Sequence, residues 1–489
     1  MIAFLYYFSA IGALVSISLL FPALVAFGFE ENDAGILFLF YGAIGLFMCG
    51  ATLLSVMGRP GKLERSVTIL LAVFSWFALP MVLALPISHI SQIDISSAIF
   101  EAVSGFTTTG ASSFANLETV PKSILFYRAQ LQWMGGVATL VTAILVLAPW
   151  KIGGLPQVGA ASVAASIISS QQRVTSYALK ILRVFAILTT LCFVALLMTG
   201  LDPYSASIMS MTALSTGGFL PSTTSPDILL GQSGMIIFTV FLLIGATSIF
   251  WHELIVRLKA EELIKHRESN FVLIIFVIVS AFLAYRLTQL NGGVGTGGVS
   301  GLISEAAFNS ASIISTSGIE SRPGIFSILP ATIVLLLAMV GAGSYSTSGG
   351  IKYFRVGGMY SMAANELERL IHPHVVPAGR LGSVRYNGEF VRAIWSLFTC
   401  MVVIIGAGFF LLCLTGMSFQ ASFTAMLAAI SNAGPLYNLD WVPAAEHGWV
   451  SYPDMGAFQK TILAVTMILG RLEIVVVVAV INLILSHRR

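Results

Sequence analysis

Apolar runs of about 20 residues recur along nearly the whole of this 489-residue chain. Each run is long enough to cross the ~30 Å hydrocarbon core of a bilayer as a helix. Backbone polar groups find no water there, so such runs must form helices. Only 10% of the residues are charged, against about 25% in an ordinary soluble domain. The sequence therefore predicts an all-α polytopic membrane protein.

The apolar runs and the charged or Pro/Gly breaks between them predict ten spans. They lie near residues 1–28, 36–58, 68–90, 123–149, 179–200, 231–255, 269–290, 324–371 with an interruption, 388–415 and 458–486. The first run has no basic region before it and no cleavage site, so we expect it to be retained. With both termini in the cytoplasm, most of the 25 Lys and Arg residues fall inside, as the positive-inside rule requires. Arg128 is one of the few that fall on the outer side.

Four shorter apolar stretches lie between spans on the predicted outer side, at residues 97–106, 204–214, 302–314 and 419–430. They are too short to cross and have the length of re-entrant half-helices. The unit of span, half-helix, loop and span therefore repeats four times around a central pore, after two leading spans. The predicted divisions are 1–58 for the leading spans, then 68–149, 179–257, 269–371 and 388–486 for the four repeats.

A similar tetrapeptide follows each half-helix, with the pattern [Ser/Thr]-[Thr/Asn]-x-Gly. The four are Thr107-Thr108-Thr109-Gly110, Ser215-Thr216-Gly217-Gly218, Ser315-Thr316-Ser317-Gly318 and Ser431-Asn432-Ala433-Gly434. Gly218, not Gly217, is the closing glycine of the second. One such tetrapeptide means little, but four in register are a specific signal.

The composition of these tetrapeptides suits a site for a monovalent cation. Stacked backbone carbonyls replace the water shell of a potassium ion, glycine permits the backbone angles that aim them at one axis, and hydroxyls add oxygens. Half-helix C-termini, which are partly negative, favour a cation at the centre. No carboxylate is present to form a divalent site. Alternatively, the small residues serve only close helix packing. Glu101 and Glu305, at different spacings from the closing glycines, are expected to anchor the loops.

The chain resembles the TrkH/KtrB family of potassium uptake subunits, in particular the TrkH branch with two leading spans. Besides the four loops, the resemblance rests on Gln132-Trp133-Met134-Gly135-Gly136, Gly349-Gly350-Ile351-Lys352 and Gly470-Arg471-Leu472-Glu473. It covers nearly the whole chain. The resemblance implies potassium, with no covalently bound cofactor, as the ion held at the sixteen tetrapeptide residues. Glycine at all four closing positions favours potassium, since serine at the first goes with sodium permeability in related plant proteins.

In that family an intramembrane loop in the eighth span acts as a gate beneath the filter. The resemblance implies this role for residues 341–350, which are small or hydroxylic apart from one aromatic residue and make a poor helix. The implied gate comprises Gly343, Ser344, Tyr345, Ser346, Thr347, Gly349, Gly350, Lys352 and Arg471. A glycine hinge without ion contact is the alternative. Tyr345 departs from the family pattern and either plugs the conduit or packs beside it. Mid-span Arg471 either faces the conduit as an electrostatic barrier or forms a structural ion pair.

The resemblance also implies a bacterial inner-membrane protein that forms a homodimer and binds a cytosolic nucleotide-binding ring like TrkA. The inner loop from Ala364 to Glu389 is the expected docking surface. Membrane lipid is expected around the spans, and a net charge of +3 does not favour nucleic-acid binding. A cation symporter coupled to Na⁺ or H⁺ is the main alternative, although its inverted repeats are not seen. Without HExxH, GxSxG or paired intramembrane carboxylates, we expect no enzyme activity, and a scaffold would not need four matching loops.

Overall fold

The computed structural model describes residues 2–58, 64–148, 171–256, 258, 260–290, 298–372, 380–381, 384–385, 388–437 and 449–472. Several predicted features lie partly outside these residues. They are residue 1 of the first span, the last residue of the fourth span (149), residue 257 of the second repeat, residues 291–297 of the third, residues 438–448 of the fourth, much of the inner loop 364–389, and the tenth span and last quoted motif beyond Leu472.

Helices make up most of the described chain. Their bounds are α1 (Ile2–Ser18), α2 (Leu20–Gly28), α3 (Asn32–Val56), α4 (Arg65–Ser91), α5 (Ile95–Phe106), α6 (Lys122–Val141), α7 (Gln171–Leu197), α8 (Pro203–Ser215), α9 (Pro226–Ala246), α10 (Ile249–Val256), α11 (Ala260–Lys265), α12 (Arg267–Leu290), α13 (Gly298–Ile314), α14 (Ala331–Val340), α15 (Tyr353–Ile371), α16 (Gly388–Leu414), α17 (Phe419–Ile430) and α18 (Ala457–Leu472). A π-helical turn (Thr142–Leu147) continues α6, and 3₁₀ turns occur at Leu117–Thr119, Ile325–Ile328 and Gly434–Leu436. Two short strands, β1 (Arg380–Leu381) and β2 (Val384–Arg385), pair antiparallel.

Eight helical segments of the described chain are long and apolar enough to cross a membrane. Three predicted spans are not single uninterrupted helices over the expected residues, and for the eighth the interruption was predicted. The first breaks at Leu19, because Pro22 has no N–H to donate to the turn before it. The sixth starts at Pro226 and ends at Ala246, and a separate helix follows. The eighth is two helices, α14 and α15, separated by residues 341–352.

All four predicted half-helices are present as α5, α8, α13 and α17; the first three are slightly longer than predicted, and the fourth has the predicted bounds. Side chains cap three of their N-termini. Asp94 accepts from Ser97 N at 3.0 Å, Asp202 from Ser205 N at 2.9 Å, and Ser418 from Ala421 N at 3.3 Å. Such caps satisfy N–H groups that lack a partner in the first turn. We call the ends of the spans beside these caps the outer ends, following the predicted orientation.

The four repeats close into a ring. Within each repeat, the half-helix packs between the two flanking spans. Across repeats, the second span packs on the next half-helix: α6 on α8, α9 on α13, α14 on α17, and α18 back on α5. This cyclic packing brings the C-terminal ends of the half-helices together. The predicted fold class, with four such repeats after two leading spans, is confirmed.

The leading spans pack mainly on the first repeat, through α1, α2 and α3 against α4 and α6, and Phe29 between them meets Tyr204 of the second half-helix edge to face at 5.1 Å. Glu31, between the two leading spans, accepts from the backbone N–H groups of Lys122 at 2.7 Å and Ser123 at 3.1 Å. It thereby caps the N-terminus of α6, where a carboxylate also complements the helix dipole. The leading pair is therefore fixed on the outside of the ring.

Candidate functional site

Each half-helix ends in the same turn, and the predicted tetrapeptide forms that turn. The N–H of its third residue donates to the carbonyl five residues earlier in all four repeats: Thr109 to Ser104 at 2.8 Å, Gly217 to Thr212 at 3.0 Å, Ser317 to Ser312 at 3.0 Å and Ala433 to Ala428 at 2.9 Å. This is the hydrogen bond of a Schellman motif, which ends a helix on one left-handed residue. It gives Gly218 the same position as Gly110, as predicted from the register.

The second residue of each tetrapeptide is that left-handed residue. The φ values are 56° at Thr108, 50° at Thr216, 65° at Thr316 and 53° at Asn432. Glycine usually takes this position, and a β-branched residue there is a genuine outlier. Strain of this kind persists only where the surrounding structure enforces it, and it concentrates at functional sites. The left-handed residue occurs at the same position in all four loops, so it is a shared feature of the repeat.

The first hydroxyl of each tetrapeptide fastens the loop to its own half-helix. Thr107 Oγ1 donates to Val103 O at 2.7 Å, Ser215 Oγ to Met211 O at 2.7 Å, and Ser431 Oγ to Leu427 O at 2.6 Å. We expected these hydroxyls to add oxygens toward an ion. Each of these hydroxyls donates its proton to the half-helix and keeps its oxygen lone pairs, so that expectation stays a prediction.

The loops contact one another at their closing glycines. A Cβ on Gly110 would lie 2.4 Å from Gly218 Cα, and one on Gly434 would lie 2.4 Å from Ala111 N. The N–H of Gly434 donates to Thr109 O at 2.7 Å. All sixteen predicted residues are buried. No side chain larger than hydrogen fits at these positions without displacing a neighbouring loop.

The glycines of the quoted span motifs allow spans to approach the half-helix ends. A Cβ on Gly135 would lie 1.8 Å from Phe106 O, and one on Gly470 would lie 2.2 Å from Ile430 O. Gly245 plays the same part in the second repeat, at 2.8 Å from Leu214 O. In each case the carbonyl belongs to the residue just before the tetrapeptide. The sequence did not identify Gly245, which lies outside the quoted motifs.

The break in the eighth span lies directly against the tetrapeptides of three repeats. Thr347 Oγ1 donates to Leu214 O at 2.8 Å and lies 3.4 Å from Thr216 Oγ1. The N–H of Gly349 donates to Thr316 Oγ1 at 2.7 Å. A Cβ on Gly349 would lie 1.8 Å from Ser431 O. Residues 341–350 are therefore held under the loops of the second, third and fourth repeats.

Arg471 connects the break to the first repeat. Its Nη1 donates to Ser348 O at 2.9 Å, and its Nη2 donates to Thr108 Oγ1. The side chain is 7% exposed, and none of the described carboxylates forms an ion pair with it. Arg471 thus faces the interior of the ring, beneath the first tetrapeptide.

A second positively charged side chain, that of Lys352, lies beside Arg471 at the break. Lys352 Nζ donates to the carbonyl of Ser348 and lies 3.1 Å from its Oγ. Lys352, Arg355 and Arg471 border a cavity of about 60 Å³ on the inner side of the break. Ser344 is held differently, because its N–H donates to Glu268 at 2.6 Å.

Tyr345 packs to one side of the ring interior. Its ring is 3% exposed and lies in an apolar cluster with Leu140, Phe185 and Leu214. It meets the ring of Phe250 edge to face, with centroids 5.2 Å apart. Tyr345 also borders the cavity that Lys352 and Arg471 line, so both placements left open by the sequence stay predictions.

Glu101 and Glu305 anchor the segments after the tetrapeptides, as expected. Glu101 accepts from Ser113 N at 2.6 Å, and Glu305 pairs with Arg322 at 2.8 Å. Asn309, which was not among the predicted residues, accepts from Ser321 N at 3.0 Å. A signal was present, because Asn309 precedes Gly318 by nine residues, as Glu101 precedes Gly110.

Comparison with known proteins gives consistent matches over almost the whole chain. The family model TrkH, described as a cation transport protein, matches residues 62–486. The Trk system potassium uptake protein TrkH of Vibrio parahaemolyticus is 30% identical over 471 residues, 94% of each chain. TrkH of Halomonas elongata is 29% identical, over 95% of this chain and 94% of that protein. The crystal structure of the potassium transporter TrkH from Vibrio parahaemolyticus superposes with a TM-score of 0.84, at 26% identity over 98% of both chains.

Proposed function

Because this chain belongs to the TrkH family of cation transport proteins, we propose that it takes up potassium through a channel-like pore. In this proposal the sixteen tetrapeptide residues form the selectivity filter. The observation that carries the proposal is the fourfold repetition of one strained turn, with its closing glycine in contact with a neighbouring loop. Membership of a transport family also confirms the expectation that the chain is not an enzyme.

The chemistry of the four turns favours a cation. Four half-helices end where the loops meet, and each contributes a partly negative C-terminus. The loop carbonyls supply oxygens that can replace a hydration shell, and the first hydroxyls, which donate their protons to the half-helices, keep oxygen lone pairs that can do the same. The absence of a carboxylate from the sixteen residues speaks against a divalent ion.

We propose that residues 341–350, with Lys352 and Arg471, gate this pore. The contacts of Thr347, Gly349 and Arg471 with the tetrapeptides support this role over that of a free hinge. A positive charge below a cation path raises the free energy of an ion there. Movement of the break away from the loops would withdraw the Ser348 carbonyl from Arg471 and open the path.

The proposal extends to the assembly and its setting. We propose a homodimer in a bacterial inner membrane, with both termini in the cytoplasm and a nucleotide-binding ring docked on the inner side. The repeats are assigned to residues 68–149, 179–257, 269–371 and 388–486. The relatives are named as potassium uptake proteins of a Trk system, and the word system supports a partner subunit.

Rubidium uptake into proteoliposomes tests the proposed function. The purified protein is reconstituted into proteoliposomes, alone and with its cytosolic partner. The vesicles are filled with potassium, so that an outward potassium gradient drives the uptake of rubidium. We expect rubidium uptake that potassium competes for strongly and sodium weakly. Uptake that sodium and potassium inhibit equally in a correctly inserted protein would refute potassium selectivity. Uptake that requires a sodium or proton gradient would favour a coupled symporter.

A further inference from the structure

Glu101 and Arg128 form a buried ion pair behind the first filter loop, and the proposed function gives this pair no role. We infer that Glu101 and Arg128 are positioning residues that fix the outer ends of the first and second filter loops, and thereby set ion discrimination. The inference rests on the proposed function, since it assigns these residues to the same filter.

The ion pair is completely enclosed. Arg128 Nε lies 2.5 Å from Glu101 Oε1, with side-chain exposures of 1% and 0%. Moving two charges from water to such a place costs several kcal/mol per ion, which their attraction barely repays. Removal of one partner, by contrast, leaves an uncompensated buried charge. Such a pair contributes little net stability but strongly resists a change in its geometry.

The pair holds the segment just after the first tetrapeptide. Glu101 Oε2 accepts from Ser113 N at 2.6 Å, and Oε1 accepts from Ser112 Oγ at 3.2 Å. Arg128 Nη2 also donates to Ser112 Oγ, at 2.9 Å. Ser112 and Ser113 follow Gly110 by two and three residues. The position of Gly110 therefore depends on two charged side chains, Glu101 and Arg128, as well as on backbone contacts.

Arg128 extends the same attachment to the second loop. Its guanidinium carbon lies 3.9 Å from the ring centroid of Phe219, the residue that follows Gly218. A guanidinium over an aromatic face at this distance is a cation–π contact, worth more where water is excluded. Since Gly110 and Gly218 are themselves in contact, one side chain holds both from behind.

In the other repeats, no charged group of the described chain accepts from the backbone nitrogen that corresponds to Ser113 N. In the third repeat, Asn309 takes the place of Glu101 and accepts from Ser321 N at 3.0 Å. In the second, the corresponding backbone nitrogen belongs to Pro221, which has no N–H to satisfy. In the fourth, Tyr437 N donates to Gly434 O at 3.0 Å. An amide would thus suffice to satisfy the backbone, so the charged pair in the first repeat has another purpose.

The test measures discrimination between rubidium and sodium in reconstituted Glu101→Gln, Arg128→Gln and the double variant. The Glu101→Gln side chain still accepts from Ser113 N, as Asn309 does from Ser321, but leaves Arg128 unpaired. We expect each single variant to lose about tenfold in discrimination, equivalent to about 1.4 kcal/mol. The double variant should lose less than the two losses combined, because no charge is left unpaired.

Matched controls separate positioning from general stability. The Lys180–Glu253 pair is exposed and lies on α7 and α10, outside the four loops, so Glu253→Gln should leave discrimination unchanged. Phe219→Leu removes the aromatic face but keeps the ion pair, and should give a smaller loss than Arg128→Gln. It also serves if the charge variants do not fold.

The outcomes distinguish the inference from the function beneath it. If the wild-type protein does not discriminate rubidium from sodium, the proposed function fails. If the wild type discriminates and folded Glu101→Gln and Phe219→Leu proteins do so equally well, the pair is only structural and the inference is wrong.

Discussion

Gly349 donates its backbone N–H to Oγ1 of Thr316 at 2.7 Å, and Thr316 is the left-handed residue of the third filter loop, with φ of 65°. The proposed gate is thus fastened to a strained residue of the proposed filter. Thr316 Oγ1 also donates to Ser315 O at 2.6 Å. One hydroxyl therefore couples the conformation of the loop above to that of the break below.

Replacement of that hydroxyl should free the gate. In Thr316→Val the buried N–H of Gly349 loses its acceptor, which costs about 1–3 kcal/mol in the closed state. That cost would raise the open population by about 5- to 150-fold, seen as faster rubidium flux without the partner subunit. Thr239→Val is the control, since Thr239 is buried and bonds only within its helix, to Met235 O. Equal flux in both variants would contradict the coupling.

Gly110→Ser should loosen ion selectivity while the protein still inserts. A Cβ at residue 110 meets Gly218 Cα at 2.4 Å, in a backbone with φ of +80°. We expect discrimination against sodium to fall by about tenfold or more, since 1.4 kcal/mol suffices for that. Gly200→Ser is the matched control, because Gly200 has φ of +91° but nothing within 4 Å. A comparable loss in the control would assign the effect to backbone strain alone.

The sequence predicted the four loops correctly because each repeat keeps its glycine and hydroxyls after a short apolar helix. It did not predict the left-handed turns. Of the four residues concerned, only Asn432 has a side chain that tolerates φ > 0. The other three are threonines, whose β-branched side chains disfavour a left-handed conformation. Tertiary packing of the ring overrides that preference. The turn at Leu19 within the first span has a local reason, since Pro22 is visible in the sequence.

Contacts between distant residues account for the rest of what the sequence missed. Arg128 was counted with the outer-side cations, because nothing in its neighbourhood shows that it pairs with Glu101 27 residues earlier. The placement of Tyr345 depends on Phe250, in another repeat. The cap of α6 by Glu31 likewise joins segments that are far apart in the chain. The spacing of residues in the sequence indicates which residues are neighbours within one helix or one repeat. It does not indicate contacts between residues that are far apart in the chain.

Arg471→Ala should raise flux in the absence of the partner subunit. The guanidinium donates to Ser348 O at 2.9 Å and to the hydroxyl of Thr108, so its removal deletes both a positive charge and a tie on the gate. A barrier lower by about 1.4 kcal/mol speeds passage about tenfold. Rubidium flux into proteoliposomes measures this, with Arg471→Lys as a control that keeps the charge and should stay slow. Unaltered flux in a well-expressed Arg471→Ala protein would rule out a barrier.

Acid should remove one stabilising contact of the first half-helix. Hydrogen bonds from Ser96 and Ser97 lower the pKa of Asp94 to about 2, against about 3.9 in an unfolded chain. Because the folded-state pKa is the lower one, the contribution is present above pH 4 and disappears as the pH falls toward 2. The difference in unfolding temperature between wild type and Asp94→Ala in detergent should shrink over that interval.

The matched control for Asp94 is a cap that does not titrate. Ser418 caps the fourth half-helix with a hydroxyl, at 3.3 Å from Ala421 N. Ser418→Ala should cost about 1 kcal/mol at every pH between 2 and 6. If the effect of Asp94→Ala is equally independent of pH, the carboxylate does not act through its charge.

Tyr345 should stabilise the closed break through Phe250. The two rings meet edge to face at 5.2 Å, and Tyr345 has φ of 56°, so packing holds a backbone that a tyrosine does not favour. Tyr345→Ala should lower stability by about 3 kcal/mol, and Phe250→Ala, whose ring is partly exposed, by less; both should raise basal flux. In the double variant the loss should fall short of the sum by about 0.5–1.5 kcal/mol, the value of an aromatic pair. Strict additivity, measured by unfolding and by rubidium flux together, would mean that the rings act independently and that the phenol affects the conduit by another route.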